Sequence, residues 1–195
     1  MTNVPRIIAE DTLVLFADLQ TGIADLPLTV PPPALRRGVL ALARLAKLFS
    51  LPIVVSAVPG RDGKPGVPLP ELAQGLGAFT THYRTTSDSF ADAPIKAAIE
   101  ATGRKTLLIS GVATEVAVLL PALSAVAAGF TVFIVVDAAA GMSARTEDAA
   151  LRRLTQAGGL TISVPTVAGE LAGDFGKPVG QQAIEILFGM TGDDK

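Results

Sequence analysis

The chain has 195 residues, enough for one domain with a sizeable core. Hydrophobic residues make up 49% and charged residues 17%, a balance that excludes intrinsic disorder and coiled coil. A net charge of -2 leaves no electrostatic footprint for nucleic acid, and with no cysteine and one histidine the chain has no disulfide, thiolate metal site or multi-histidine metal site.

The opening "MTNVPRIIAEDT" lacks a basic start followed by an apolar stretch, so no secretory signal and a cytoplasmic protein are expected. Mean hydropathy is high, +0.49, yet turn residues break every apolar run before it could cross a bilayer. "TLVLFA" (12–17) is an unbroken apolar run, as in a strand buried on both faces. "PALRRGVLALARLAKLFS" (33–50) opens with proline and repeats Leu and Val at helical spacing. "PIVVSA" (52–57) predicts a second strand, and "VPGRDGKPGVPLP" (58–70) a long surface loop or an interface element. "AFTTHY" (78–83) is a weaker strand. "APIKAAIEATG" (93–103) predicts a helix stopped by glycine. "TLLIS" (106–110) predicts a strand running into "TEVAVLLPALSAVAAG" (114–129), a buried helix bent near Pro121 with Thr114 as its N-cap. "TVFIVV" (131–136), the amphipathic "ARTEDAALRRLTQAGG" (144–159) and "LTISV" (160–164) continue the alternation. A final helix lies in "GKPVGQQAIEILFGMTGDDK", with a frayed tip at "TGDDK".

Strands alternating with helices predict a single domain over 1–195. The expected fold is an α/β, three-layer α/β/α sandwich with a six-stranded, mostly parallel, Rossmann-like sheet. The doubly wound order 3-2-1-4-5-6 puts a ligand crevice beyond the C-terminal ends of the first and fourth strands. Asp18 follows the first of these and Gly111 ends the fourth.

A carboxylate at that mouth would be partly desolvated, as a base or acid requires. The alternative for Asp18 is an Asx-turn in "DLQTG". Asp137 in "VVDAAAGMS" lines the same cleft or, preferably, makes a turn. Glu115 falls in the first turn of the fourth-strand helix, where the dipole favours an anion. A nucleophile in that turn would gain from the same dipole and from backbone N–H groups. The hydroxyls of Thr85, Thr86, Ser87, Ser89 and Thr114 are better assigned to surface hydrogen bonding than to nucleophilic duty.

"LLISGVATEVAVLLPALSAVAAGF", "AGFTVFIVVDAA" and "FADLQTGI" together resemble the isochorismatase-like hydrolases, the cysteine hydrolase superfamily, over roughly residues 10–175. The resemblance is closest to a bacterial subgroup of unassigned hydrolases. It implies that Asp18 is the catalytic aspartate and that Ala117 occupies the nucleophile position. Arg84, in "HYRTTSDSFAD", stands where the family usually has lysine, and Phe90 is the following aromatic. The resemblance further implies a cis peptide at Val112–Ala113. Backbone N–H groups of Val112, Ala113 and Ala117 would form an oxyanion hole, and Gln20, Phe90 and Thr114 would line the substrate pocket.

Alanine has no lone pair, so acyl transfer through a thioester is closed at position 117. Arg84 keeps a fixed positive charge and is expected to hold Asp18 ionised. The implied function is hydrolysis of a small amide, imide or related C–N substrate with Asp18 as acid and base. One alternative is a catalytically inactive homologue or binding scaffold, or a cysteine-to-alanine form of an active one. Another is a thiol-independent vinyl-ether hydrolase of isochorismatase type. The region "SAVPGRDGKPG" lacks the family's metal-binding histidine, so no metal and no cofactor are expected. The expected partners are a small-molecule substrate and further copies of the chain, from dimer to octamer, with no nucleic acid and no membrane.

Overall fold

A computed structural model describes residues 4–191. Of the "TGDDK" tip, residues 192–195 lie outside them. Six strands form one sheet: β1 (Thr12–Ala17), β2 (Ile53–Ala57), β3 (Thr81–Tyr83), β4 (Thr106–Gly111), β5 (Thr131–Val135) and β6 (Leu160–Ile162). Their order is β3-β2-β1-β4-β5-β6, and every pairing is parallel. Parallel strands need helical crossovers, and the crossovers cover both faces.

β1 shows why the sheet is central. All six of its residues are buried. Side chains alternate across a strand, so Val14 and Phe16 enter one apolar cluster while Leu13, Leu15 and Ala17 enter the other. α1 (Pro32–Leu48), α2 (Pro70–Leu76), α6 (Val164–Ala172) and α7 (Pro178–Phe188) supply the first cluster. α3 (Ala93–Ala101), α4 (Leu119–Ala127) and α5 (Ala144–Gln156) supply the second. Side-chain caps start three of these helices: Asp92 accepts from Ile95 N, Ser143 from Thr146 N and Ser163 from Thr166 N. Among the described residues no helix is long and apolar enough to cross a membrane.

The structure departs from the sequence pattern in three places. Two short helices, α2 and α6, were not visible in the pattern; both begin at or beside a proline in segments that resemble loops. The segment after β4 is not one helix bent at Pro121. A π-helical turn, Thr114–Val118, precedes α4, and Pro121 falls in the first turn of α4, where a missing N–H costs little. Thr114 is inside that turn and makes no capping bond; Ala113 holds the cap position. The Val112–Ala113 peptide is cis.

The loop 58–69 is held at its far end. Thr21 N donates to Val67 O, Leu69 N donates to Leu19 O, and Gln20 bridges to Pro68. Leu69 is buried in the first cluster, so this end of the loop is part of the core.

Gly38 sets how closely α1 approaches the turn that follows β5. A Cβ there would stand 2.0 Å from the carbonyl oxygen of Asp137. Exchanging Gly for Ala inside a helix ordinarily gains about 1 kcal/mol, whereas forcing atoms into a packed interior costs about 1–3 kcal/mol and more where backbone must move. Packing wins at this position. Gly38→Ala is expected to lower the urea midpoint by the equivalent of about 2 kcal/mol; an equal or higher midpoint would contradict this close approach.

Candidate active site

β1 and β4 pair along their whole length, Ala17 opposite Gly111, so Asp18 and the Val112–Ala113 turn leave the sheet side by side. This is the point where the strand order reverses, and α/β sheets bind ligands there. Asp18 has φ 54°, in the left-handed region that Asp tolerates better than most residues. Its N–H donates to Ser56 O, which anchors the turn to β2.

Asp18 is 5% exposed and its carboxylate accepts no backbone donor, so it does not form an Asx-turn. Oδ2 accepts from Arg84 Nη2 at 2.6 Å. Oδ1 is buried without a partner. Arg84 is equally enclosed, at 4%, and follows β3 directly. Its Nη1 donates to the Thr86 carbonyl, while Nε has no partner. Burial of the carboxylate pushes Asp18 up to about 6, against the lowering by the Arg84 guanidinium and the Ser56 hydroxyl. Arg84 lowers the Asp18 pKa as expected, but removal from water outweighs it, so the net shift is upward and Asp18 is not held as strongly ionised as expected.

The loop that carries Arg84 is pinned by Asp88. Its Oδ1 accepts from Phe90 N and Ala91 N, and its Oδ2 from Ser124 Oγ of α4 at 2.5 Å. Phe90 is 3% exposed and meets Phe130 edge-to-face, so it is a core residue of the second cluster. Thr85, Thr86 and Ser87 are exposed, but Ser89 is fully buried with a partnerless Oγ, against the surface placement expected for it.

Ala117 is 3% exposed and packs in the cluster that holds Ala17, Val54 and Phe90. Thr114 is also buried, against the surface placement expected for it, and its Oγ1 donates to Glu147 Oε1 at 2.8 Å. Glu115 Oε1 accepts from Met142 N and Thr146 Oγ1. Thr114 and Glu115 therefore staple the π-helical turn to the start of α5. Of the three backbone groups expected in an oxyanion hole, Val112 N–H is not available. It donates to Ala17 O and extends the sheet.

Both ends of the Gln20 amide are engaged: Nε2 donates to Val58 O, and Oε1 accepts from Val58 N. Gln20 thus fixes the near end of the loop 58–69. With Thr21, Ile23, Leu26, Pro59 and Arg61 it borders a cavity of about 520 Å³ beside the crevice. Asp137 Oδ1 accepts from Val164 N at 2.8 Å, and burial raises its pKa; it caps the entry to α6. Among the described residues no three His, Asp or Glu side chains converge as a metal would need. Ser56 escaped the sequence argument altogether. A lone hydroxyl near the end of an otherwise apolar strand was the available signal.

The isochorismatase domain family matches residues 12–166. The chain is 36% identical over 184 residues to the Escherichia coli (strain K12) protein "Probable hydrolase YcaC", covering 94% of this chain and 87% of that one. It resembles the solved structure of YcaC from Pseudomonas aeruginosa with hexane-2,5-diol and covalent acrylamide (TM-score 0.91, 33% identity, 98% of this chain and 94% of that one). It also resembles the Escherichia coli YcaC structure, described as an octameric hydrolase of unknown specificity (TM-score 0.86, 33% identity, 97% and 91% covered).

The raised Asp18 pKa has a stability consequence with a definite sign. The folded state holds this proton more tightly than the unfolded chain, whose Asp titrates near 3.8. Stability from Asp18 is therefore greatest below about pH 4, falls as pH rises towards about 6, and is level above. Relative to Asp18→Asn, the wild type is expected to lose about 3 kcal/mol across that window. Urea titrations at pH 4 and pH 7 measure the difference, and a pH-independent gap would place the Asp18 pKa at its ordinary value.

Proposed function

The chain belongs to the isochorismatase family, and on that premise we propose that it hydrolyses a small amide, imide or related C–N substrate without a thiol nucleophile. One observation supports this most directly. A carboxylate enclosed at the topological switch point, raised to about 6, can hold and release a proton near neutrality. Asp18 takes a proton as the nucleophile attacks and returns it to the leaving nitrogen. Arg84 supplies fixed positive charge beside it. Ala113 and Ala117 N–H groups, without Val112, receive the developing oxyanion. The pocket draws on the mouth between Gln20 and the loop 58–69, where apolar Ile23 and Leu26 stand with the charged Arg61 and Asp62 and suit a small molecule with polar ends.

The packing of Ala117 favours a second reading, a binding scaffold without turnover. A turnover screen over small amides, imides and vinyl ethers decides between them. Hydrolysis is expected in the wild type, with the rate falling at least about 100-fold in Asp18→Asn, the size of a lost general base. Equal background rates in both proteins would establish the scaffold.

Position 117 is the vacated nucleophile position in this proposal. The Pseudomonas aeruginosa relative carries covalent acrylamide, and acrylamide seeks thiolates, of which this chain has none. Ala117→Cys is expected to gain one acrylamide adduct at pH 7, faster than a surface cysteine control, because helix N-termini lower thiol pKa below about 8.5. Adding Asp18→Asn should slow the reaction. Mass spectrometry reads both, and an inert thiol would make 117 an ordinary core alanine.

The octameric Escherichia coli relative supports a closed homo-oligomer here too. Light scattering should give a multiple of the 20.0 kDa chain mass; a monomer at micromolar concentration would refute it.

A further inference from the structure

The Asp18–Arg84 ion pair is only half made. In a guanidinium, Nε–H and one Nη2–H point along the same edge, and a carboxylate can accept both side by side. Here only half of that contact forms. Nη2 reaches Oδ2 at 2.6 Å, while Nε and Oδ1 are both buried and both without partners. The orphaned donor and the orphaned acceptor thus belong to one ion pair. The Ser56 hydroxyl, on β2 and 1% exposed, stands against the same carboxyl and lowers its pKa.

Buried polar groups left unpaired cost about 1–3 kcal/mol each. A water that accepts from Nε–H and donates to Oδ1 pairs both, two of the roughly two to four bonds a buried water makes.

We infer that the half-open Asp18–Arg84 pair, flanked by Ser56, holds the hydrolytic water, and that this water does the work a side chain at 117 cannot. The step balances without any co-reactant. The water oxygen bonds to the substrate carbonyl carbon as one of its protons passes to Asp18 Oδ1. The carbon–nitrogen bond then breaks, the Asp18 proton goes to the departing nitrogen, and acid and amine leave. Arg84 positions the oxygen through Nε, and Ser56 is a positioning residue. This rests on the hydrolase proposed above.

A high-resolution crystal structure of the chain at pH 7 is the primary test. The expected result is an ordered water within hydrogen-bond distance of both Arg84 Nε and Asp18 Oδ1. A closed two-bond Arg84–Asp18 contact with no water between would overturn the inference. Arg84→Lys keeps the charge and removes the Nε donor, so the water should be lost; its retention would also overturn the inference. Ser56→Ala keeps both charges, and carbon-13 NMR of the Asp18 carboxyl should show its titration shifted above that of the wild type, with Ser56→Thr restoring it. An unmoved titration removes Ser56 from the site. The water with no turnover of any screened substrate would refute the hydrolase and leave the water site standing. Turnover without the water would refute this inference alone.

Discussion

A carboxylate at the end of a strand buried on both faces has no water to retreat into. That constraint organises the crevice. β1 must be apolar to sit at the centre of a covered parallel sheet, so the first polar residue after it, Asp18, emerges into a low-dielectric space. The chain meets the cost with a single charge-assisted bond from Arg84, itself buried. Such a pair is no large source of stability, since desolvation offsets most of the Coulomb gain. Its value is chemical: a carboxyl held near neutrality in its titration and aimed at a fixed place.

Arg84 can serve only if its loop is fixed, and three elements converge to fix it. β3 ends one residue earlier, the Thr86 carbonyl accepts from Nη1, and Asp88 ties the loop to Ser124 of α4. α4 also carries the π-helical turn with Ala117, and Thr114 and Glu115 bind that turn to α5. Asp18, Arg84 and Ala117 are thus connected through α4 and the turn before it. Irregular turns of this kind recur at functional sites.

On the opposite side of the crevice, Gln20 does structural work. Its amide closes a ring with both backbone groups of Val58, and a Cβ on Gly66 would stand 2.2 Å from its Nε2. The loop 58–69 lies against the segment that follows β1 because that glycine lets the backbone approach. The mouth of the cavity is consequently shaped by contacts to backbone rather than by mobile side chains alone.

The sequence by itself determined the strands, their parallel alternation with helices, the crevice between β1 and β4, and the positions of Asp18, Arg84 and Ala117. Each is a local signal: an unbroken apolar run, a helical repeat, or a run of residues recognisable as a set. Only the tertiary structure decided which hydroxyls were buried, and it placed Ser56 and Ser89 inside while leaving Thr85 and Ser87 in solvent. It gave Val112 N–H to Ala17 and split the helix after β4 into a π-helical turn and α4. It also set the net pKa shift of Asp18 upward. The attraction of Arg84 is visible from chemistry alone, but desolvation depends on everything packed around the carboxylate, and no linear pattern records that sum.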